Sequence, residues 1–380
     1  MGGIIDDSGN RGAVGQEVAR IQVFLVAPVN PNGPNVGGTR TYTLGLGRSL
    51  TNLGLIVTIV GNGPPIIDGD IGFVAVSEKS LNSNFEYHRR LSRWVRRARF
   101  ADGDVIDAQR PDFLRSFIRN SAKLSLVSTL HGNPFFAIHQ RHPLGAMAYG
   151  MAEGVGLTAS HNVISVSVSA LAEYLVRYPF LEGKVAHIPN GVDLHKFTPK
   201  NKQEERDRLG IRDRPTILYA GRLDPEKRVG VLFEAVSSMR DPPTVMIAGS
   251  GHNEAAIKAK ASGTNAVFLG PVEHGGMPNV IAAADLLVLP SAFEGMPTIA
   301  LEALACGVPV TTTPVGDLPR VIVPGRTGYF FNGSPESLRG VLEAHLEDAG
   351  NFREDCVRAA QPYGWDRVGQ RVSEVLLAAS

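Results

Sequence analysis

No apolar run of about 18 residues occurs in the 380-residue sequence, so no segment reads as a transmembrane helix. Cysteine is scarce. Cys306 and Cys356 stand far apart, in neither metal nor redox spacing, which excludes a disulfide framework and points to free, buried or partly buried thiols in a reducing cytoplasm. Net charge is almost absent, with 38 Lys and Arg against 37 Asp and Glu. That excludes a disordered polyelectrolyte and a general nucleic-acid binder. No unit repeats at a period of about 20–50 residues, which excludes a solenoid. Met1 to Arg20 lacks the basic and apolar regions of a signal peptide and reads as a disordered leader.

What is present is ordinary globular material, 43% hydrophobic and 20% charged. The length suggests two domains of about 100–200 residues each. The 42 glycines and 25 prolines show no period, so many shaped loops are expected. The neutrality is a cancellation. Residues 1–188 carry 18 basic against 14 acidic side chains, and residues 189–380 carry 20 against 23.

Strand Ile21–Ala27, helix Thr39–Leu53 and strand Ile56–Val60 open the chain as a βαβ unit, so a parallel sheet is expected. Short strands follow at Phe73–Val76, Val105–Ile106, Leu124–Leu130, Val163–Val168 and Val185–Pro189. The charged stretch Lys200 to Arg214 reads as an inter-domain linker. The βα alternation then restarts with strands Thr216–Ala220, Thr244–Ala248, Ala266–Leu269, Leu286–Leu289 and Pro309–Thr312. Helices are expected between them at Val229–Met239, Asn253–Ala261, Met277–Ala284 and Pro297–Cys306.

In parallel sheets ligands bind beyond the carboxyl ends of strands. The loop Tyr219-Ala-Gly-Arg-Leu-Asp-Pro-Glu-Lys-Arg228 puts Gly221, Arg222 and Lys227 between a strand and a helix. Cations at a helix N-terminus are unfavourable unless an anion joins them, and a diphosphate suits an Arg fork and a Lys point charge. The competing reading pairs the basic groups with Asp224 and Glu226 in a solvated turn. The second constellation is Ser291-Ala-Phe-Glu-Gly-Met-Pro-Thr-Ile-Ala-Leu-Glu302. Pro297 suits a helix first turn, and the amides near Gly295, Met296, Pro297 and Thr298 can hold a phosphate. The competing reading makes Glu294 a complement to the helix dipole and Glu302 a surface residue.

The Glu-x7-Glu spacing of Glu294 and Glu302, within EGMPTIALEALACGVPV, resembles glycosyltransferase family 4. So do GRLDPEKRV, IPNGVDLHKF, VGGTRTYTLGLGRSL and the strand ending in Ser128-Thr-Leu-His131-Gly132. The resemblance runs from about Ile21 to Arg371. It implies an α/β GT-B fold, with two Rossmann-like doubly wound parallel-sheet domains facing across a cleft. Residues 21–197 would be the acceptor domain and 198–362 the nucleotide-sugar donor domain. Residues 363–380, with Trp365 near their start, would form a helix returning to the first domain.

By the same resemblance the chain would transfer a hexose from a UDP- or GDP-linked sugar, with retention, to a glycan, lipid-linked or small-molecule hydroxyl. Arg222 and Lys227 would stabilise the leaving diphosphate, with no metal or other cofactor. Glu302 would bind the ribose hydroxyls and Glu294 a sugar hydroxyl near the reacting carbon. His131 would face the sugar across the cleft. Backbone near Val272 would line the base pocket, Gly249 and Gly251 would close it, and Gly37 and Gly38 would let backbone approach the diphosphate. Two other readings keep this architecture: a nucleotide-sugar epimerase, or a non-catalytic nucleotide-sugar binder.

Asp68-Gly-Asp70 and Asp102-Gly-Asp104 spell a short metal-binding pattern but read as Gly-rich turns. His139-x2-His142 lacks acidic companions and reads as a solvated loop. Around His88–Phe100, Leu91, Trp94, Val95 and Ala98 form one helical stripe. Arg89, Arg93, Arg96 and Arg97 form another face. This basic helix, with six arginines from Arg89 to Arg99, can dock on an anionic membrane. The bland reading packs its stripe on the first domain and leaves the arginines solvated. The expected location is cytoplasmic, extending to the inner face of the membrane.

Overall fold

The computed structural model describes residues 21–31, 37–64, 69–81, 83–132, 143–211, 214–347 and 352–378. The leader expected over residues 1–20 lies outside them, as do His139 and His142.

The first half contains β1 (Gln22–Val26), α1 (Gly38–Asn52), β2 (Ile56–Gly61), β3 (Gly72–Ala75) and α2 (Asn84–Val95). Then come β4 (Val105–Ala108), β5 (Ser125–Leu130), α3 (Pro143–Ala159), β6 (Asn162–Ser165), α4 (Val168–Arg177) and β7 (Val185–His187). The sheet order is β3-β2-β1-β4-β5-β6-β7, and every pairing is parallel. Strands buried on both faces carry continuous apolar runs instead of alternation, and Val23-Phe-Leu-Val26 is such a run.

The second half starts with α5 (Lys202–Leu209), β8 (Thr216–Ala220), α6 (Val229–Ser237), β9 (Thr244–Ala248) and α7 (Glu254–Lys260). It continues with β10 (Ala266–Gly270), α8 (Met277–Ala282), β11 (Leu286–Leu289), α9 (Thr298–Ala305), β12 (Val310–Thr312) and β13 (Gly328–Phe330). Helices α10 (Pro335–Glu347), α11 (Phe352–Ala360) and α12 (Trp365–Leu377) complete it. The order β10-β9-β8-β11-β12-β13 is the doubly wound pattern again. The α/β architecture of two parallel-sheet Rossmann-like units is therefore the one the resemblance implies.

Two local readings are corrected. The stretch read as a linker holds helix α5. Asn201 caps it by accepting from the amides of Gln203 and Glu204, and Gly210 ends it at φ +66°. Its anchors are polar: Arg206 is buried, donates to the Ala283 carbonyl at 2.9 Å and pairs with Asp285, which Lys202 also meets. A helix held by ion pairs has no apolar period to read. The short edge strand β13 was not expected, because three residues carry too little pattern.

Several contacts join the halves. Asn190 donates to the Met296 carbonyl at 2.6 Å, and Asp317 accepts from the Val168 amide at 2.7 Å. Helix α12 returns to pack on α1. The Trp365 ring wedges between Gly45 and Gly191, where a methyl group on either would fall 2.4 Å from it. Both cysteines are free and buried in the core of the second half, and burial pushes each thiol up to about 12.

On α2 the stripe packs inward. Leu91 and Val95 are buried, and Trp94 leans on Phe24 and Phe100. The helix stops at Val95, short of the expected Phe100, so Arg89 and Arg93 are exposed on it while Arg96, Arg97 and Arg99 are exposed on the segment that follows. The Asp102–Asp104 segment is a turn. Gly103 takes φ +87°, and Asp104 accepts from the amides of Ala101 at 2.8 Å and Gln22 at 3.2 Å. Asp68 lies outside the described residues.

Candidate active site

In the second sheet the strand order reverses between β8 and β11, and the loops after these strands meet there. The β8 loop turns through a 3-10 segment, Pro225–Lys227, before α6 begins. The Ala292 amide donates to the Glu226 carbonyl at 2.8 Å, tying the two loops together. Lys227 then donates to Glu294 at 2.8 Å, and Ser291 donates to the same carboxylate oxygen at 2.6 Å. The Lys227 and Glu294 side chains are only 18% and 11% exposed.

Arg222 behaves differently. It pairs with Asp224 and with Glu226, the latter at 3.0 Å, and its side chain is 63% exposed. The pairing with Asp224 and Glu226 weighed from the sequence therefore holds for Arg222, whereas Lys227 takes a partner that reading did not name, Glu294. Lys227 points inward to Glu294, and Arg222 lies at the rim.

Pro297 adopts an extended conformation and α9 starts at Thr298, so the first amides of α9 open toward these loops. Gly295 and Met296 precede them. Glu302 lies in the second turn of α9 and is 5% exposed, which rules out the surface reading. It accepts from His274 Nε2 at 3.0 Å, while Lys196 donates to His274 Nδ1 at 2.9 Å. An ammonium only donates and a carboxylate only accepts, so the ring carries its proton on Nε2. Val272 sits in the same β10–α8 loop as His274 and packs on the core of the second half.

Gly249 and Gly251 serve a close approach. A methyl on Gly249, whose φ is +145°, would lie 1.9 Å from the Gly221 carbonyl oxygen. One on Gly251 would lie 2.6 Å from Leu223 backbone. These glycines let the loop after β9 stack directly on the loop that carries Arg222.

From the first half, Gly37 and Gly38 start α1 with open space around both positions. His131 follows β5. A methyl on Gly295 would sit 3.8 Å from the His131 carbonyl oxygen, so His131 and the Glu294 loop face each other across the crevice. Burial pushes the His131 imidazole down to about 4, so it is neutral near pH 7. Its Nε2 meets Gln109 Oε1 at 2.7 Å, and its ring meets Tyr42 edge-on.

Sequence reading missed Lys196, His274, Ser291, Asn190, Asp107 and Gln109. Asn190 and Lys196 stand inside IPNGVDLHKF, Ser291 opens the second constellation and His274 lies two residues from Val272, so proximity to those motifs was the available signal. Asp107 and Gln109 flank the carboxyl end of β4, next to the switch point of the first sheet, and that position was the signal for them.

Residues 36–196 match a family model described as Glycosyltransferase Family 4, and residues 201–362 match one described as Glycosyl transferases group 1. A GDP-mannose-dependent monoacylated alpha-(1-6)-phosphatidylinositol monomannoside mannosyltransferase of Corynebacterium glutamicum is 32% identical over 211 residues. That alignment spans 50% of this chain and 55% of the relative, about half its length. A D-inositol 3-phosphate glycosyltransferase 2 of Catenulispora acidiphila is 26% identical over 95% of this chain and 94% of its own. Among solved structures, sucrose-phosphate synthase from Thermosynechococcus elongatus superposes with a TM-score of 0.78 at 21% identity, over 95% of this chain and all of that one. HepE of Anabaena, in complex with UDP and glucose, gives 0.77 at 17% identity over 94% of this chain and all of that one. At these identities the two structures speak for the fold.

Proposed function

The chain belongs to glycosyltransferase family 4, and from that premise we propose that it transfers a hexose from a UDP- or GDP-linked sugar to a hydroxyl acceptor with retention. The observation that carries this reading is the Lys227–Glu294 pair at the switch point of the second sheet. Cleavage of a glycosyl phosphate leaves negative charge on the diphosphate. Lys227, Arg222 and the first amides of α9 are preorganised around that charge. A diphosphate entering there competes for Lys227, which frees Glu294 to accept a sugar hydroxyl. Three donor groups of this kind can stabilise the leaving group without a metal.

Glu294 acts in this scheme as a sugar ligand, not as one of two carboxylates at nucleophile spacing. Same-face attack assisted by the leaving phosphate therefore accounts for retention better than double displacement. Glu302, oriented by His274, takes the ribose hydroxyls, and backbone near Val272 lines the base.

The names of the relatives direct the first assays to GDP-mannose and UDP-glucose as donors, with D-inositol 3-phosphate and phosphatidylinositol mannosides as acceptors. The test is turnover with and without acceptor. Acceptor-dependent release of UDP or GDP with a glycosylated product supports transfer. An altered sugar without acceptor points instead to an epimerase, and tight binding without turnover to a binder.

The basic face of α2 supports a second element of the reading, docking on an anionic membrane. Helices α2 and α3 pack on the same 3-10 segment, Pro111–Ser116. Leu144, Met147, Met151 and Val155 form an exposed stripe along α3. Exposed apolar and basic side chains on neighbouring helices suit the headgroup boundary of a bilayer, at the cytoplasmic leaflet.

A further inference from the structure

A chain of buried polar groups runs from the interior of the first sheet to the crevice. Asp107, on β4, is fully buried. Thr129 donates to its Oδ1 at 2.7 Å, and Gln109 Nε2 donates to its Oδ2 at 2.7 Å. Gln109 is 1% exposed, and its other amide atom, Oε1, meets His131 Nε2 at 2.7 Å.

The direction of these bonds follows from the chemistry of the groups. Above a pH of about 7, where burial lets the Asp107 carboxyl ionise, the carboxylate only accepts, so the amide NH2 of Gln109 must face Asp107. The carbonyl oxygen of the same amide is then turned toward His131, and a carbonyl only accepts. The proton between Gln109 and His131 therefore belongs to the imidazole. Burial keeps the ring neutral, so the second nitrogen carries a lone pair.

We propose that Asp107 and Gln109 are positioning residues that hold His131 as its Nε2-protonated tautomer, presenting Nδ1 to the crevice as an acceptor for a hydroxyl of the donor sugar. The sugar half of this rests on the transferase reading above. Asp107 dictates which way the Gln109 amide lies, and Gln109 dictates which nitrogen of His131 is protonated. Asp107 thus acts on the sugar through two side chains while touching none of it. Among the described residues Asp107 accepts from Thr129 and from Gln109, and it is the Gln109 bond that leads on to the crevice; an unpaired carboxylate at this depth would be costly.

The test is a long-range 1H–15N spectrum of the full chain labelled at histidine, recorded at a pH well above 7 so that Asp107 is ionised, with His131 assigned by the loss of its signals in His131→Asn. The expected wild-type spectrum shows an unprotonated Nδ1. In Gln109→Leu both tautomers should appear, because the acceptor is gone. In Asp107→Asn the Gln109 amide is free to turn over, so both tautomers should appear there too. A wild-type ring protonated on Nδ1 overturns the proposal whether or not the variants fold. So does an unchanged tautomer in both variants.

In transfer assays Gln109→Leu should lower kcat/KM for the nucleotide sugar about tenfold, the worth of one hydrogen bond, while affinity for free UDP and GDP stays unchanged. An equal loss of affinity for the free nucleotides overturns the positioning role. The spectrum needs no substrate, so the expected tautomers with no turnover of any nucleotide sugar would overturn the transferase reading and leave the relay standing.

Discussion

The carboxylate of Asp317, which follows β12 in the second half, caps the first turn of α4 in the other half. It accepts from the Val168 amide at 2.7 Å and from the Ser169 amide at 3.2 Å. A negative charge at a helix N-terminus meets both unpaired amides and the positive end of the dipole. His187, from β7, lies 3.8 Å from the same carboxylate. The contact therefore fastens the two sheets at the crevice where His131 faces Gly295.

Removing that carboxylate, in Asp317→Ala, should cost about 1–2 kcal/mol, the usual worth of a good cap. Urea unfolding followed by circular dichroism measures it. Asp317→Asn should recover part of the loss, because its side-chain oxygen still accepts. A variant as stable as the parent would show that the cap contributes nothing.

Lys227→Ala should lower kcat on the order of a hundredfold, as removal of one preorganised donor does, and should weaken nucleoside diphosphate binding. Glu294→Gln should lose transfer while keeping that binding, because the amide still accepts from Ser291 and frees Lys227. Calorimetric titration with UDP and GDP separates the two. Unchanged donor affinity in Lys227→Ala would sink the diphosphate role.

Glu302 and His274 should govern ribose recognition. Wild type should prefer UDP or GDP over its 2′,3′-dideoxy form, since a site built to hydrogen-bond a hydroxyl rejects the analogue lacking it. Glu302→Ala should erase the preference. His274→Ala should reduce it, because it removes the group that orients the carboxylate. A preference intact in Glu302→Ala would move ribose recognition elsewhere.

The pH dependence of stability should carry two opposed slopes. Burial raises Asp107 from 3.8 to about 7, so between those values the folded state holds a proton the unfolded chain has released, and stability falls as pH rises. Burial lowers His131 from 6.5 to about 4, so there the unfolded chain holds the extra proton, and stability rises with pH. Asp107→Asn should leave the rising slope and His131→Asn the falling one. Urea midpoints from pH 4 to 7 decide between this and two groups without influence.

Charge reversal along the basic segment, with Arg93→Glu on α2 and Arg97→Glu just beyond its end, should abolish co-sedimentation with vesicles containing phosphatidylglycerol. Both side chains are exposed, so the fold should tolerate the change. Binding of the parent chain that is indifferent to anionic lipid content would dispose of membrane docking through this face.

Much of this molecule is written in local pattern. Strands such as Thr216–Ala220 and Leu286–Leu289 are apolar runs between glycines, prolines and polar turns, and they form where those runs stand. The site loops follow from that order, because a parallel sheet brings the carboxyl ends of its strands to one edge. Helix α5 escaped for the opposite reason, since polar anchors such as the Arg206–Asp285 pair leave no apolar period.

The sequence alone determined the βα alternation, the two doubly wound units and the loops that hold the reactive side chains, though neither α5 nor β13. These depend on interactions between residues a few positions apart. Which side chain meets which was decided by the tertiary structure. Lys227 reaches Glu294 across 67 residues, and His274 reaches Glu302 across 28. Gln109 reaches His131 across 22, and Asp317 reaches Val168 across 149. Hydrogen bonds act over about 3 Å, and only the packing of the sheets brings such distant residues that close.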